Sequence, residues 1–115
     1  MAADARRALG AYGERRAAAW YEAHGYEVLD RNWRCREGEL DLVLRRGRTV
    51  VFAEVKARRT AAFGTPAEAV TPAKQRRIRG LAVRWLHESG VRAGELRFDV
   101  VALLGTDLQV IEAAF

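Results

Sequence analysis

The chain has 115 residues, half of them hydrophobic, with 20 Lys or Arg against 15 Asp or Glu and a net charge of +5. That length makes one domain, residues 1–115, with room for a core that needs no staples. The hydrophobic share excludes global disorder, the longest apolar runs are too short to span a membrane, and Arg6-Arg7 has no apolar run behind it to make a secretion signal.

The single Cys35 excludes an intramolecular disulfide and fits a reducing, cytoplasmic setting. No Cys/His spacing suggests zinc. Charge is spread unevenly. Residues 45–84 hold eleven Lys or Arg against Glu54 and Glu68, a net +9, while residues 1–44 net −1 and residues 85–115 net −3. A basic middle between near-neutral flanks predicts a face that meets a polyanion, most simply nucleic acid. A plain solvated basic surface is the alternative.

The first predicted element is a helix from Asp4 to His24. Leu9, Tyr12, Arg16, Ala19, Trp20 and Ala23 follow helical spacing, with Arg16 the one polar interruption. Gly25 supplies its C-cap, and His24 in the last turn suits the helix C-terminus. Glu14 lies beside that stripe among Gly10, Ala11, Ala17 and Ala18, small residues that would let the helix approach a sheet closely. The competing reading of Glu14-Arg15-Arg16 is a surface charge cluster.

A strand follows from Tyr26 to Trp33, broken by polar Asp30-Arg31-Asn32. A second runs from Glu39 to Arg45, and Arg46-Gly47-Arg48 turns it into a third, Thr49 to Lys56. Residues 57–71 form a loop holding Phe63, Gly64 and Pro66. Thr71-Pro72 opens the second helix as N-cap and first helical residue. Its apolar stripe is Ile78, Leu81, Ala82, Trp85 and Leu86, and Ser89-Gly90 ends it. Leu96–Leu104 and Leu108–Ala113 make a last hairpin around Gly105-Thr106-Asp107. The order α-β-β-β-α-β-β predicts an α/β fold, a mixed sheet of about five strands flanked by helices. The third strand is apolar on both faces for most of its length and belongs in the centre.

Two strand runs carry charge among apolar residues: Gly38-Glu39-Leu40-Asp41-Leu42-Val43 and Val51-Phe52-Ala53-Glu54-Val55-Lys56. Such charges are costly to bury unless paired or bound to a metal. Strand alternation puts Glu54 and Lys56 on one face with Val50 and Phe52. On the preceding strand it puts Glu39 and Asp41 on one face and Leu40, Leu42 and Leu44 on the other. A tight turn at 46–48 sets Asp41 opposite residues 53–54.

An acid on one strand facing Glu-x-Lys on the next suits magnesium-dependent phosphodiester hydrolysis. Magnesium binds through one or two carboxylates and offsets charge on a phosphate. Asp41 and Glu54 are the expected metal ligands, with the Val55 carbonyl as a third. Lys56 would orient a water and balance phosphate charge. Lys56 and Lys74 are the only lysines among the 20 cations, and a compact ammonium is tunable by burial where guanidinium is not. Arg58, Arg59, Lys74, Arg76 and Arg77 are the expected phosphate contacts. A purely structural ion pair is the competing reading of the acids and Lys56.

With those residues identified, the chain resembles the YraN-type family of small bacterial endonuclease-like proteins. The matching pieces are Gly13-Glu14-Arg15-Arg16-Ala17, Gly25-Tyr26, Arg31-Asn32, Gly38-Glu39-Leu40-Asp41 and Val51-Phe52-Ala53-Glu54-Val55-Lys56-Ala57-Arg58. Phe63-Gly64, Lys74-Gln75-Arg76-Arg77-Ile78, Phe98-Asp99-Val100 and Ala114-Phe115 complete the series, so the likeness spans nearly the whole chain. It implies a restriction-endonuclease-like fold, similar to archaeal Holliday-junction resolvases. It also implies a PD-(D/E)xK site made of Glu14, Asp41, Glu54 and Lys56, with Leu40 where the motif's name expects proline. The expected protein is a homodimeric nuclease using Mg2+ or Mn2+ on branched or structured DNA. A nucleic-acid-binding module or adaptor with a vestigial site is the rival.

Overall fold

The computed structural model of the chain describes residues 2–60 and 70–115. Its elements follow the predicted order: α1 (Ala2–Ala23), β1 (Glu27–Cys35), β2 (Gly38–Arg46), β3 (Thr49–Arg58), α2 (Pro72–Ser89), β4 (Glu95–Leu104) and β5 (Asp107–Ile111). The five strands form one sheet in the order β1-β2-β3-β4-β5. Short turns make β1/β2, β2/β3 and β4/β5 antiparallel. β3 and β4 are parallel because the chain between them crosses over through α2. β3 sits in the middle, with α1 on one face of the sheet and α2 on the other.

α2 forms where its local signals place it. Thr71 is extended and its Oγ1 accepts the Lys74 N–H at 3.3 Å. Pro72 occupies the first turn, where its missing N–H costs nothing. Gly90 ends the helix in the left-handed region, φ +72°, and its N–H returns to the Leu86 carbonyl at 3.1 Å. Ile78, Leu81, Ala82 and Trp85 are buried against Leu40, Val43, Val50, Phe52, Phe98 and Val100. Trp85 Nε1 donates to Asp30 Oδ2 at 2.9 Å, tying the helix to β1.

The face that α1 turns to the sheet differs from the expected stripe. Gly13, Ala17, Ala18 and Tyr21 are buried, whereas Ala19 and Ala23 are exposed and Leu9, Tyr12 and Trp20 lie half-buried at the margin. Close approach decides this. A Cβ at position 13 would lie 3.1 Å from the Ala57 Cβ and 3.5 Å from a Val55 methyl. Small residues thus seat the helix backbone directly on β3, and a bulkier stripe cannot come as near. Arg16 instead bonds the Tyr12 hydroxyl and the Thr106 carbonyl.

β1 runs through the polar Asp30-Arg31-Asn32 rather than breaking there. An edge strand pairs on one side only, so polar residues are cheap in it. The strand is irregular: a bulge falls between Val28 and Asp30, and Asn32 sits at φ +50°. For a non-glycine residue that conformation costs on the order of 1 kcal/mol or more.

The expected common face for Leu40, Leu42 and Leu44 is not found. Leu42 and Leu44 pack under α1 with Val51, Ala53 and Val55, but Leu40 packs under α2. The change of face falls at Asp41. The Arg31↔Leu42 and Trp33↔Leu40 pairs put Asp41 opposite the left-handed Asn32. The local twist there carries both strands from one face to the other.

The deepest charge is Asp99, fully buried on β4. Arg97 holds it through two hydrogen bonds of 2.9 Å, the Tyr21 hydroxyl donates at 2.7 Å, and the Ala113 N–H donates at 3.0 Å. One carboxylate therefore ties α1, β4 and the C-terminal turn together. On the α2 face, Phe52 stacks on Phe98 and Phe98 on Phe115, with the Arg79 guanidinium 4.6 Å above the Phe98 ring. β3 continues to Arg58, two residues past its expected end. Phe63, Gly64 and Pro66 of the predicted loop lie outside the described residues. Among the described residues no helix is long and apolar enough to cross a membrane.

Candidate active site at the fork of β2 and β3

β2 and β3 pair from Arg46↔Thr49 to Leu42↔Ala53, and the pairing stops there. Asp41 thus falls opposite Glu54 by continuation of the register, as the turn length predicts. Beyond that point the ladder ends, beside the left-handed Asn32 on β1. The fork leaves the Val55 N–H without a partner from the β2 backbone. Asp41 Oδ2 accepts it at 2.8 Å. Within one strand residue the N–H and C=O leave the backbone on the same side, so the Val55 carbonyl faces the same gap.

The fork opens on a cavity of about 180 Å³ lined by Gly38, Glu39, Asp41, Glu54, Lys56, Lys74, Arg77, Ile78 and Leu81. Asp41 is 8% exposed. Burial, then the Glu54 carboxylate and a hydrogen bond shared with it, push the Asp41 carboxyl up to about 8. Lys56 Nζ lies 3.4 Å from Glu54 Oε1. Two carboxyl groups and one ammonium therefore converge in a half-dry cleft, a cluster that carries excess negative charge when both acids ionise.

α1 brings Glu14 near enough for its charge and those of Asp41 and Glu54 to act on one another, though it does not line the fork cavity. Its carboxyl is raised by desolvation first; a hydrogen bond from the Asn32 side chain opposes this, and the charges of Glu39 and Glu54 add to the rise. The Gly13 contact with Ala57 holds Glu14 at the sheet, so the small-residue approach serves the site as well as the packing. Glu14 and Asn32 line a cavity of about 150 Å³ on the α1 side with Ala11, Arg15, Arg31 and Leu42. Among the described residues, no three His, Cys, Asp or Glu side chains are drawn together as a finished metal cage.

The cations divide by position. Lys74 and Arg77 line the fork cavity from α2, while Arg76 is exposed on that helix and outside the cavity lining. Arg58 and Arg59 line a larger groove of about 710 Å³ between α1 and the end of β3, which also takes in Arg6, Leu9 and Lys56. Lys56 lines both spaces. Arg84 is engaged elsewhere, with Glu37 and Glu88.

Three residues at the site escaped sequence reasoning. Asn32 carried the signal of a weak strand former that tolerates a left-handed backbone. Glu39, paired with Arg34 at 2.5 Å, was placed on one face with Asp41 but given no role. Arg6 gave no signal beyond its dibasic neighbour.

The fold and site define a mixed α/β domain in which acids and a lysine gather at a strand fork beneath basic flanks. The profile of the uncharacterised protein family UPF0102 matches residues 13–103. A UPF0102 protein of Beutenbergia cavernae is 60% identical over 102 residues, covering 89% of this chain and 86% of its own length. One from Rhodococcus opacus is 57% identical, covering 84% of this chain and 82% of its own. One from Geobacter sulfurreducens is 53% identical, covering 83% and 74%. The chain belongs to the UPF0102 family.

Proposed function

We propose that this protein is a metal-dependent nuclease acting on branched or structured DNA, with its catalytic centre at the β2–β3 fork. The observation that carries the reading is the meeting of Asp41, Glu54 and Lys56 where the β2–β3 ladder ends, with Glu14 delivered from α1. Structural ion pairs balance charge. Here burial and the Glu54 carboxylate push the Asp41 carboxyl toward its protonated form, a penalty a divalent cation relieves. The motif series shared with the YraN-type, PD-(D/E)xK-like proteins supports the same reading.

The residues fit Mg2+ or Mn2+. Asp41 and Glu54 offer hard oxygen donors, the Val55 carbonyl faces the same gap, and a magnesium ion completes its shell with waters rather than needing a protein cage. When bound, the cation supplies Lewis-acid stabilisation of charge on the phosphate. Asp41 and Glu54 hold it, and the Val55 N–H fixes the Asp41 rotamer. Lys56, beside Glu54, donates to the attacking water or to a phosphate oxygen. Lys74 and Arg77 on one side and Arg58 and Arg59 on the other grip flanking phosphates. They contact backbone rather than base edges, so the shape of the DNA would be selected, not its sequence. A homodimer would present two such forks to two strands.

One observation favours the rival, a nucleic-acid-binding module without turnover. Asp41 and Glu54 already have protein partners in the Val55 N–H and Lys56. End-labelled four-way junction, flap, linear duplex and single strand, incubated with Mg2+, Mn2+ or chelator, separate the two. Metal-dependent cutting that is lost in an identically purified Asp41→Asn/Lys56→Ala variant is the expected result. Tight binding of the junction with no cutting in either metal would overturn the nuclease reading in favour of the module.

A further inference from the structure

We propose that Asn32 is a positioning residue that holds Glu14 in place at the fork. The inference rests on the reading of the fork as a divalent-cation site.

Asn32 is a left-handed residue in the middle of a strand, φ +50°. Nothing in β1 as a strand calls for it, since a β-region residue would continue the ladder. Its position is informative: Arg31 pairs with Leu42 and Trp33 with Leu40, so Asn32 stands opposite Asp41. The two strands change faces at this pair, and here β2 leaves β3. The same backbone turn sends the Asn32 side chain to the α1 side, where it and Glu14 line one cavity and its amide opposes the rise that burial gives the Glu14 carboxyl. A single residue thus stands opposite Asp41 at the fork and beside the acid that α1 carries.

The choice of side chain follows from the charge balance. An Arg or Lys at position 32 would also hold Glu14, but it would cancel the negative charge that draws a cation. A neutral amide orients the carboxylate and leaves its charge intact. Asn is also the non-glycine residue that best tolerates the left-handed backbone. Held in this way, Glu14 would act on the cation as a further acid beside Asp41 and Glu54, and outer partners of such a group typically govern metal affinity by about 10–100-fold.

The test is calorimetric titration of Mn2+ into the wild type, Asn32→Gly, Glu14→Gln, the Asn32→Gly/Glu14→Gln double variant and Asp41→Asn, with urea unfolding of each. Glycine keeps the left-handed backbone and removes only the amide. Asn32→Gly is expected to unfold near the wild-type midpoint yet bind Mn2+ about 10–100-fold more weakly. In the Glu14→Gln background the same change should add nothing, an outcome a merely structural role would not give. Wild-type affinity in Asn32→Gly, or an equal loss with and without Glu14, would overturn the assignment while Asp41-dependent binding stands. Absence of Mn2+ binding in the wild type, or binding indifferent to Asp41→Asn, would overturn the cation site itself and this inference with it.

Discussion

Asp41 Oδ2 accepts the main-chain N–H of Val55 at 2.8 Å, so a side chain of β2 fills the place that a β2 carbonyl would take in an unbroken ladder. The bond is structural and the charge serves the proposed cation site, and two substitutions separate them. Asn keeps an acceptor oxygen and removes the charge, so Asp41→Asn is expected to be no less stable than the wild type while losing Mg2+ and Mn2+ binding. Asp41→Ala strands the buried N–H and is expected to cost about 1–3 kcal/mol as well. Urea unfolding and metal calorimetry on the two variants check both statements.

The raised Asp41 carboxyl makes stability depend on pH in a stated direction. Its folded value of about 8 lies above the ordinary 3.8, owing first to burial and then to Glu54. Between those values the folded chain holds a proton that the unfolded chain releases. The contribution is therefore fully present below the ordinary value and is lost as pH rises through the folded one. In chelator, unfolding free energy should fall across that window, and Asp41→Asn should flatten the fall. Saturating Mg2+ should restore stability at the alkaline end, since it binds the folded state alone.

Gly13 couples packing to the site. Its backbone is so near Ala57 that any Cβ must force a shift. Gly13→Val is expected to cost about 1–3 kcal/mol by lifting α1 off β3. Because Glu14 rides on the same turn, metal affinity should fall with it. Unfolding and titration of this one variant should move together, whereas in Glu14→Gln only the titration moves.

Asp99 is the buried carboxylate the mechanism does not use, and its weight falls on the fold. Asp99→Ala leaves the Arg97 guanidinium, whose side chain is 14% exposed, without its main counter-charge. The expected loss is about 3–5 kcal/mol, a large part of the 5–15 kcal/mol that typically holds a domain together. Tyr21→Phe removes one donor from the same group and should cost about 1–3 kcal/mol. Circular-dichroism urea titrations distinguish the two losses.

Phosphate gripping gives a salt signature. Log affinity for a DNA junction should fall linearly with log salt, and Arg58→Ala or Arg77→Ala should each lower the slope by about 1. Arg84→Ala should leave it unchanged, because that guanidinium is already engaged by Glu37 and Glu88. Fluorescence anisotropy over a salt series reads all three.

Local chemistry was legible wherever neighbours in sequence decide the outcome. Thr71-Pro72 and Gly90 bound α2, the Arg46–Arg48 turn sets the β2–β3 register, and that register alone places Asp41 opposite Glu54. The central place of β3 follows from its two apolar faces. That Asp41 would lie near Glu54 and Lys56 was likewise visible from one turn length, although alternation along β2 breaks at Asp41.

What the chain order could not reveal depends on contacts between distant segments. Which face of α1 is buried turned on how closely a helix backbone can approach β3, a matter of Gly13 against Ala57 rather than of hydrophobic spacing. Leu40 left the face of Leu42 because a left-handed Asn32 on the neighbouring strand twists the pair, and period-two alternation has no term for a partner strand's backbone. The fork and its accepting Asp41 lie at that change of face, and Glu14 is carried there by the close approach of Gly13 to Ala57. Sequence chose the residue types and the register; only the packing of an edge strand and a close helix turned them into a cleft where carboxylates meet.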